Sequence, residues 1–257
     1  MTRRPALVAR SLVALALGLA LAPAVHAAGP SRRKPTPYLS EPPHPNGKSV
    51  LMIGDSNFFG PLGHVLYREL VLRGYRVSLL GKPASGLAHP QFFNWFRVAD
   101  GLVKQLKPDI VIALFGGNDG QPITRLDKDD PKRVPFADER DWDPVYEKRV
   151  RELATILHGD SREVFFLSPT NRKEPLRTRV VRIKGLQQQA MRDLPQVHPI
   201  DMFPFSTDDR GEYLRTGVDA NGKTVVYRRP DGIHLTQQGG ELVGRRLMDY
   251  LVTSFGI

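Results

Sequence analysis

The sequence predicts an α/β protein: a three-layer α/β/α sandwich, flavodoxin-like, around a central parallel sheet of about five strands. Three observations carry the prediction. A continuous apolar run at 50–53, of the kind buried on both faces in parallel sheets, is followed by comparable runs at 77–80, 110–115, 164–167 and 197–200. Amphipathic helical patterns fall between them, which calls for right-handed crossovers and parallel strands. Setting aside the first 27 of 257 residues leaves about 230, enough for one such domain with a substantial core and too few for a second.

Residues 1–27 read as a signal peptide, with Arg3, Arg4 and Arg10 ahead of an apolar run from Leu12 to Leu21 and a small-residue site at Val25-His26-Ala27. The run is short for ~30 Å of hydrocarbon and Pro23 interrupts its end, so cleavage is expected, with no membrane span left in the mature chain. The expected location is periplasmic or secreted. The pair Arg3-Arg4 leaves Sec and Tat export both open. Residues 28–48 hold Pro30, Pro35, Pro37, Pro42, Pro43 and Pro45 with little apolar content, and read as an extended linker or wrapping arm. The folded domain is expected over 49–257.

Within that domain, Leu62, Val65, Leu66 and Leu70 mark the first helix face, and Phe92, Phe96, Ala99, Val103 and Leu106 the second. Tyr146, Val150, Leu153 and Leu157 mark a third, which Asp143-Pro144 is expected to open as N-cap and first-turn proline. The stretch 176–191 is less regular, and Thr236 is positioned to cap a closing helix carrying Val243, Leu247, Tyr250 and Leu251. Two stretches break the alternation. Residues 121–142 form a long charged connection where a lid would sit. Residues 203–230 contain Asn221-Gly222, a two-residue hairpin signal flanked by Val218 and Thr224-Val225-Val226.

The formal charge of +10 falls to +7 once the leader, with three arginines and no acid, is removed. Lys and Arg are scattered, so a solvated basic surface is the first reading and contact with anionic envelope polymers the second. No nucleic-acid module is recognisable. The absence of cysteine excludes disulfides, thiolate metal sites and a cysteine nucleophile. Asp219-Ala220-Asn221-Gly222 opens like a calcium loop, but its twelfth position is Pro230, where a bidentate glutamate is needed. Asp127, Asp129 and Asp130 alternate with Lys128 and Lys132 as ordinary surface. With no phosphate loop and no dinucleotide fingerprint, neither metal nor cofactor is expected.

The chemistry is concentrated in four short blocks. Gly54-Asp55-Ser56-Asn57, Ala84-Ser85-Gly86-Leu87 and Gly116-Gly117-Asn118-Asp119 follow the first three strands, and Asp231-Gly232-Ile233-His234 follows the last. All therefore meet at the carboxyl edge of the sheet, where open α/β sheets bind ligands. A serine needs a base to become a nucleophile, and His234 can supply it, with Asp231 three residues earlier fixing the ring's tautomer. Each residue also has a structural reading: Ser56 as a helix cap, Gly86 as a turn, Asn118 as a loop cap, Asp231 and His234 as a turn pair. Their convergence on one edge favours chemistry.

These blocks, in this order, resemble the SGNH/GDSL hydrolase superfamily, and the resemblance spans nearly the whole chain after the leader. It implies a catalytic triad of Ser56, Asp231 and His234, and an oxyanion hole made by the backbone N–H groups of Ser56 and Gly86 with the Asn118 side chain. Two departures stand out: Asn57 in place of the leucine of Gly-Asp-Ser-Leu, and Leu235-Thr236 where many members place proline after the histidine. Phe92-Phe93-Asn94-Trp95 and Arg228-Arg229-Pro230 are similar to a less-studied exported bacterial branch. A second Gly-Asp-Ser, at 159–161, precedes a strand and so lies on the opposite edge as a turn. Asp55 is expected to hold the serine turn, and His64, His89, His158 and His198, which lack a partner at triad spacing, to be surface or packing residues. Trp95, Arg228 and Arg229 are the expected substrate contacts.

The functional expectation is an exported serine esterase that removes acetyl or another short acyl group from an envelope glycan, or acts on another small ester. The alternatives are an O-acyltransferase using the same acyl-serine and a non-catalytic glycan-binding protein.

Overall fold

A computed structural model describes residues 38–39, 47–124, 133–219 and 221–257. The leader, most of the proline-rich stretch and the cluster from Asp127 to Lys132 lie outside the described residues.

In chain order the elements are β1 (Tyr38–Leu39), β2 (Ser49–Gly54), α1 (Ser56–Phe59), α2 (Pro61–Leu72), β3 (Arg76–Gly81), α3 (Trp95–Leu106), β4 (Ile110–Leu114), β5 (Ile123–Thr124), β6 (Arg133–Val134), α4 (Glu139–His158), β7 (Glu163–Leu167), α5 (Leu176–Met191), β8 (Val197–Ile200), α6 (Phe203–Ser206), β9 (Thr216–Val218), β10 (Thr224–Val226) and α7 (Gln237–Phe255). The main sheet runs β1-β3-β2-β4-β7-β8. Its last five strands are the predicted parallel set, in register from Val50 with Val77 and Ile110 across to Val164 with Val197. The sixth comes from the stretch read as a linker: Tyr38 and Leu39 pair antiparallel with Leu79 and Ser78, which satisfies a backbone edge that β3 would otherwise expose.

Strand order reverses at β2, so the end of that strand is the topological switch point of the sheet. Every residue of β4 is buried, as expected of a central strand covered on both faces. One layer, with α3, α4 and α5, packs Trp95, Trp142, Tyr146 and Phe166 into the first core. The other, with α2 and α7, packs Phe58, Leu62, Leu66 and Leu247 into the second. Helices α2 and α7 approach closely: a Cβ on Gly240 would stand 2.6 Å from Pro61 Cβ, and one on Gly244 2.6 Å from Val65 Cγ1. The helix after Ser56 and the helix after His234 are thus fastened to each other.

Two expectations are corrected. Helix α4 begins at Glu139, one turn before the predicted start; Asp138 is its N-cap, accepting from Asp141 N–H, and Pro144 lies inside the helix. Trp142 accounts for the earlier start. Its indole is fully buried, stacks on Tyr146 at 4.9 Å and donates to Gln121 O at 2.8 Å, which draws the preceding turn onto the core. The hairpin of β9 and β10 forms, but around a longer loop than two residues: Asp219 N–H donates to Lys223 O, and Asp219 Oδ1 accepts from the N–H groups of Asn221 and Lys223. An aspartate turn has outcompeted the tight Asn-Gly turn. In the connection read as a lid, β5 and β6 pair antiparallel, with Ile123 and Val134 buried in the core. Among the described residues, no helix is long and apolar enough to cross a membrane.

Candidate active site

The end of β2 turns abruptly at Asp55, whose carboxylate Oδ1 accepts from Asn57 N–H at 2.8 Å and from the Asn57 amide at 3.0 Å. Asp55 thereby caps α1 and presents Ser56 as its first residue. The Asn57 amide adds a second hold on the buried aspartate. Burial raises the Asp55 carboxyl above its ordinary value of 3.8, against the opposing pull of Asn57, Arg172 and His234.

His234 arrives from the opposite side of the switch point. Its Nε2 lies 2.9 Å from Ser56 Oγ and its Nδ1 2.8 Å from Asp231 Oδ2. The other Asp231 oxygen accepts from the N–H groups of Ile233 at 2.8 Å and His234 at 2.9 Å, which fixes the turn that aims the ring. Burial tends to raise the Asp231 carboxyl, but the hydrogen bonds from His234 and Ile233 prevail and pull it down to about 2. With Asp231 ionised, Nδ1 carries the proton and Nε2 is left to accept one from Ser56. The structure thus brings together three residues separated by 178 positions.

The other two blocks meet beside this relay. No protein acceptor pairs with the N–H of Ser56 or of Gly86 among the described residues. Asn118 Nδ2 donates to Ser85 O at 2.8 Å, which ties the third block to the second and leaves one amide hydrogen. Gly86 is needed for space rather than for an unusual backbone angle: a Cβ there would stand 2.1 Å from Asp119 Oδ1. That contact reveals a buried clamp. Asp119 Oδ1 accepts from Ala88 N–H at 2.9 Å, Oδ2 accepts from Tyr146 OH at 2.9 Å, and Gln187 Nε2 donates both to Tyr146 OH and to Phe115 O. Burial raises the Asp119 carboxyl to about 6, partly offset by the bonds from Ala88, Tyr146 and Leu87. From the other side, buried Arg149 donates to the carbonyls of Leu87, Ala88 and Thr124.

Two of the three expected substrate contacts are corrected. Trp95 is fully buried, donates from Nε1 to Ser85 Oγ at 2.8 Å and packs edge-on against Phe93 and Phe115. It supports the Gly86 turn from beneath and offers no face to a sugar. Arg228 is 1% exposed and donates to Thr170 Oγ1, Ile233 O and Asn171 O, so it binds the histidine loop to the turn after β7. Burial pushes its guanidinium down to about 10. Arg229 is exposed and lines a cavity of about 460 Å³ that opens onto Ser56 and His234.

Of the histidines set aside by the sequence reading, His158 donates from Nδ1 to Arg162 O and His198 pairs with Glu163, away from this edge; His64 lines the cavity. Among the described residues, no group of three metal-ligating side chains is gathered. Asp119, Arg149, Arg172, Gln187 and the structural part of Arg228 escaped the sequence reading. Their shared signal was polarity on otherwise apolar surfaces: Arg149 one turn beyond Tyr146, and Gln187 on the helix whose pattern was least regular. Arg172 is buried, donates to Gly117 O at 2.8 Å and faces the charges of Asp55 and Asp231.

A family model described as "Protein of unknown function (DUF459)" matches residues 49–250. No curated protein matches the sequence significantly. Among solved structures, a G-D-S-L family protein from Desulfitobacterium hafniense superposes with a TM-score of 0.53 at 15% identity, covering 79% of this chain and 99% of its own. A catalytic variant of Axe2, an acetylxylan esterase from Geobacillus stearothermophilus, gives 0.52 at 18%, covering 79% and 93%. TesA gives 0.53 at 16%, covering 79% and 98%. At these identities the likeness is one of fold, and the fold is that of the SGNH/GDSL hydrolases.

Proposed function

Because the chain belongs to the DUF459 family and is built on the SGNH/GDSL fold, we propose that it is a serine hydrolase of carboxylic esters acting through an acyl-Ser56 intermediate. The observation that carries this reading is the relay of Asp231, His234 and Ser56, at 2.8 and 2.9 Å, opening onto a cavity. In the first half-reaction His234 Nε2 takes the Ser56 proton as Oγ attacks the ester carbonyl. The oxyanion of the tetrahedral intermediate faces the N–H groups of Ser56 and Gly86 and the remaining amide hydrogen of Asn118. As the C–O bond breaks, His234 returns the proton to the departing alkoxide. Water then attacks the acyl carbonyl as His234 takes its proton, and as the bond to Oγ breaks His234 returns that proton to Ser56 Oγ and the acid is released.

The finer reading is an exported enzyme acting on an acyl ester of an envelope glycan. Its support is the signal-type N terminus, Arg3 to Ala27, and the basic charge of the chain. The test is hydrolysis of p-nitrophenyl esters by the chain from Ala28, beside Ser56→Ala, with product analysis in the presence of a glycan acceptor. Turnover lost in Ser56→Ala, with free acid as product, supports the reading. Equal rates in the two proteins sink it, and acyl transfer exceeding hydrolysis replaces hydrolase with transferase.

A further inference from the structure

The cavity beside Ser56 has a composition that an acetyl group does not account for. Ser56 and His234 supply its reactive end, and Phe59, Pro61, Leu62, Pro83 and Leu235 supply apolar wall. Phe59 is 54% exposed, yet it is not a loose surface side chain. Its backbone is wedged against β3, where a Cβ on Gly81 would stand 2.3 Å from Phe59 N. The backbone of Phe59 is therefore fixed in place at the cavity that this residue lines.

Size and orientation point the same way. At roughly 30 Å³ for each water-sized group, about 460 Å³ holds some fifteen heavy atoms, and an acetyl group fills about three of those places. The leaving alcohol must lie beside His234 Nε2, which protonates it. Arg229 stands at that end, its backbone N–H donating to His234 O. The wall built by the turn from Phe59 to Leu62, together with Pro83, is left for the acyl side.

We propose that this wall is an acyl-chain trough and that the substrate is an ester of a medium-length aliphatic acid, of about six to ten carbons, rather than of acetate. The proposal rests on the esterase reading and specifies its substrate class.

The experiment is a series of p-nitrophenyl esters from acetate to palmitate, with kcat/KM measured for the chain from Ala28 and for Phe59→Asp, and with intact-mass detection of acyl-Ser56. Each methylene accepted by the trough is expected to raise kcat/KM by up to about fourfold, so octanoate should exceed acetate by at least tenfold. Phe59→Asp should cut the octanoate-to-acetate ratio by at least tenfold; the ratio is insensitive to a partly folded fraction. A maximum at acetate, or a flat profile, overturns the trough while leaving the esterase intact. No turnover and no acyl adduct with any ester would mean that the esterase reading itself had failed, and the trough with it.

Discussion

Gly86→Ala isolates the contribution of one backbone donor, because its consequence can be worked from a single contact. The added Cβ would stand 2.1 Å from Asp119 Oδ1, about 1.3 Å short of the 3.4 Å at which ordinary contact begins. Asp119 cannot simply withdraw: Ala88 N–H and Tyr146 OH hold its two oxygens at 2.9 Å, and Gln187 holds the tyrosine. The turn from Ser85 to Leu87 must move instead, carrying the Gly86 N–H away from the position of the oxyanion. Loss of one such donor is expected to cost ~2.7 to 4 kcal/mol in the transition state, a fall in kcat of about 10² to 10³. The overpacking itself should destabilise the fold by about 1–3 kcal/mol. Steady-state kcat on the preferred p-nitrophenyl ester, normalised to titrated acyl-Ser56 sites, separates the two effects, with urea unfolding reporting the second. A kcat within threefold of the parent, in a folded variant, would refute the role of the Gly86 turn as an oxyanion donor.

Other perturbations have equally definite outcomes. Asp231→Asn should lower kcat by about 10⁴, because the ring loses the partner that holds its tautomer; a loss below tenfold in the same assay would remove Asp231 from the relay. Arg228→Met should cost about 2–4 kcal/mol in urea unfolding, since three acceptors, Thr170 Oγ1, Ile233 O and Asn171 O, lose their buried donor. A raised KM with unchanged stability would return Arg228 to the substrate surface. The two aspartates should give opposite pH dependences of stability, read from urea midpoints between pH 2 and 8. Asp119 is held at about 6, above the ordinary 3.8, so the native state binds its proton more tightly and stability falls as pH rises through 4 to 6, by on the order of 3 kcal/mol. Asp119→Asn should remove that decline. Asp231 is held at about 2, so its contribution is complete above 3.8 and lost as pH falls toward 2, a loss that Asp231→Asn should abolish.

The five parallel strands were legible because each is a short, mainly apolar run, the trace of a strand covered on both faces, interrupted by Ser78 in β3 and by His198-Pro199 in β8. The closing helix was equally legible: the Thr236 side chain accepts from Gly239 N–H as its position before the apolar periodicity implied. The start of α4 was not, because the cue at Asp143-Pro144 is local while the burial of Trp142 is tertiary. Ser56, Asp231 and His234 could be named since each sits in a short block with a chemical role. The residues that hold them could not. Asp119, Arg149 and Gln187 act through backbone groups far away in sequence, and no short-range spacing records such a partner. Trp95 and Arg228 failed in the opposite sense: residue types suited to sugars and anions are spent on the core and on the histidine loop.

The central claim is that Ser56, activated by His234, becomes acylated. It is tested most directly by rapid-quench intact-mass spectrometry of the chain from Ala28 mixed with p-nitrophenyl octanoate, beside Ser56→Ala and His234→Ala. The account predicts a burst of p-nitrophenol matched by an octanoyl adduct that peptide mapping places on Ser56, absent from both variants. An adduct on another residue, or turnover undiminished in Ser56→Ala, would contradict it.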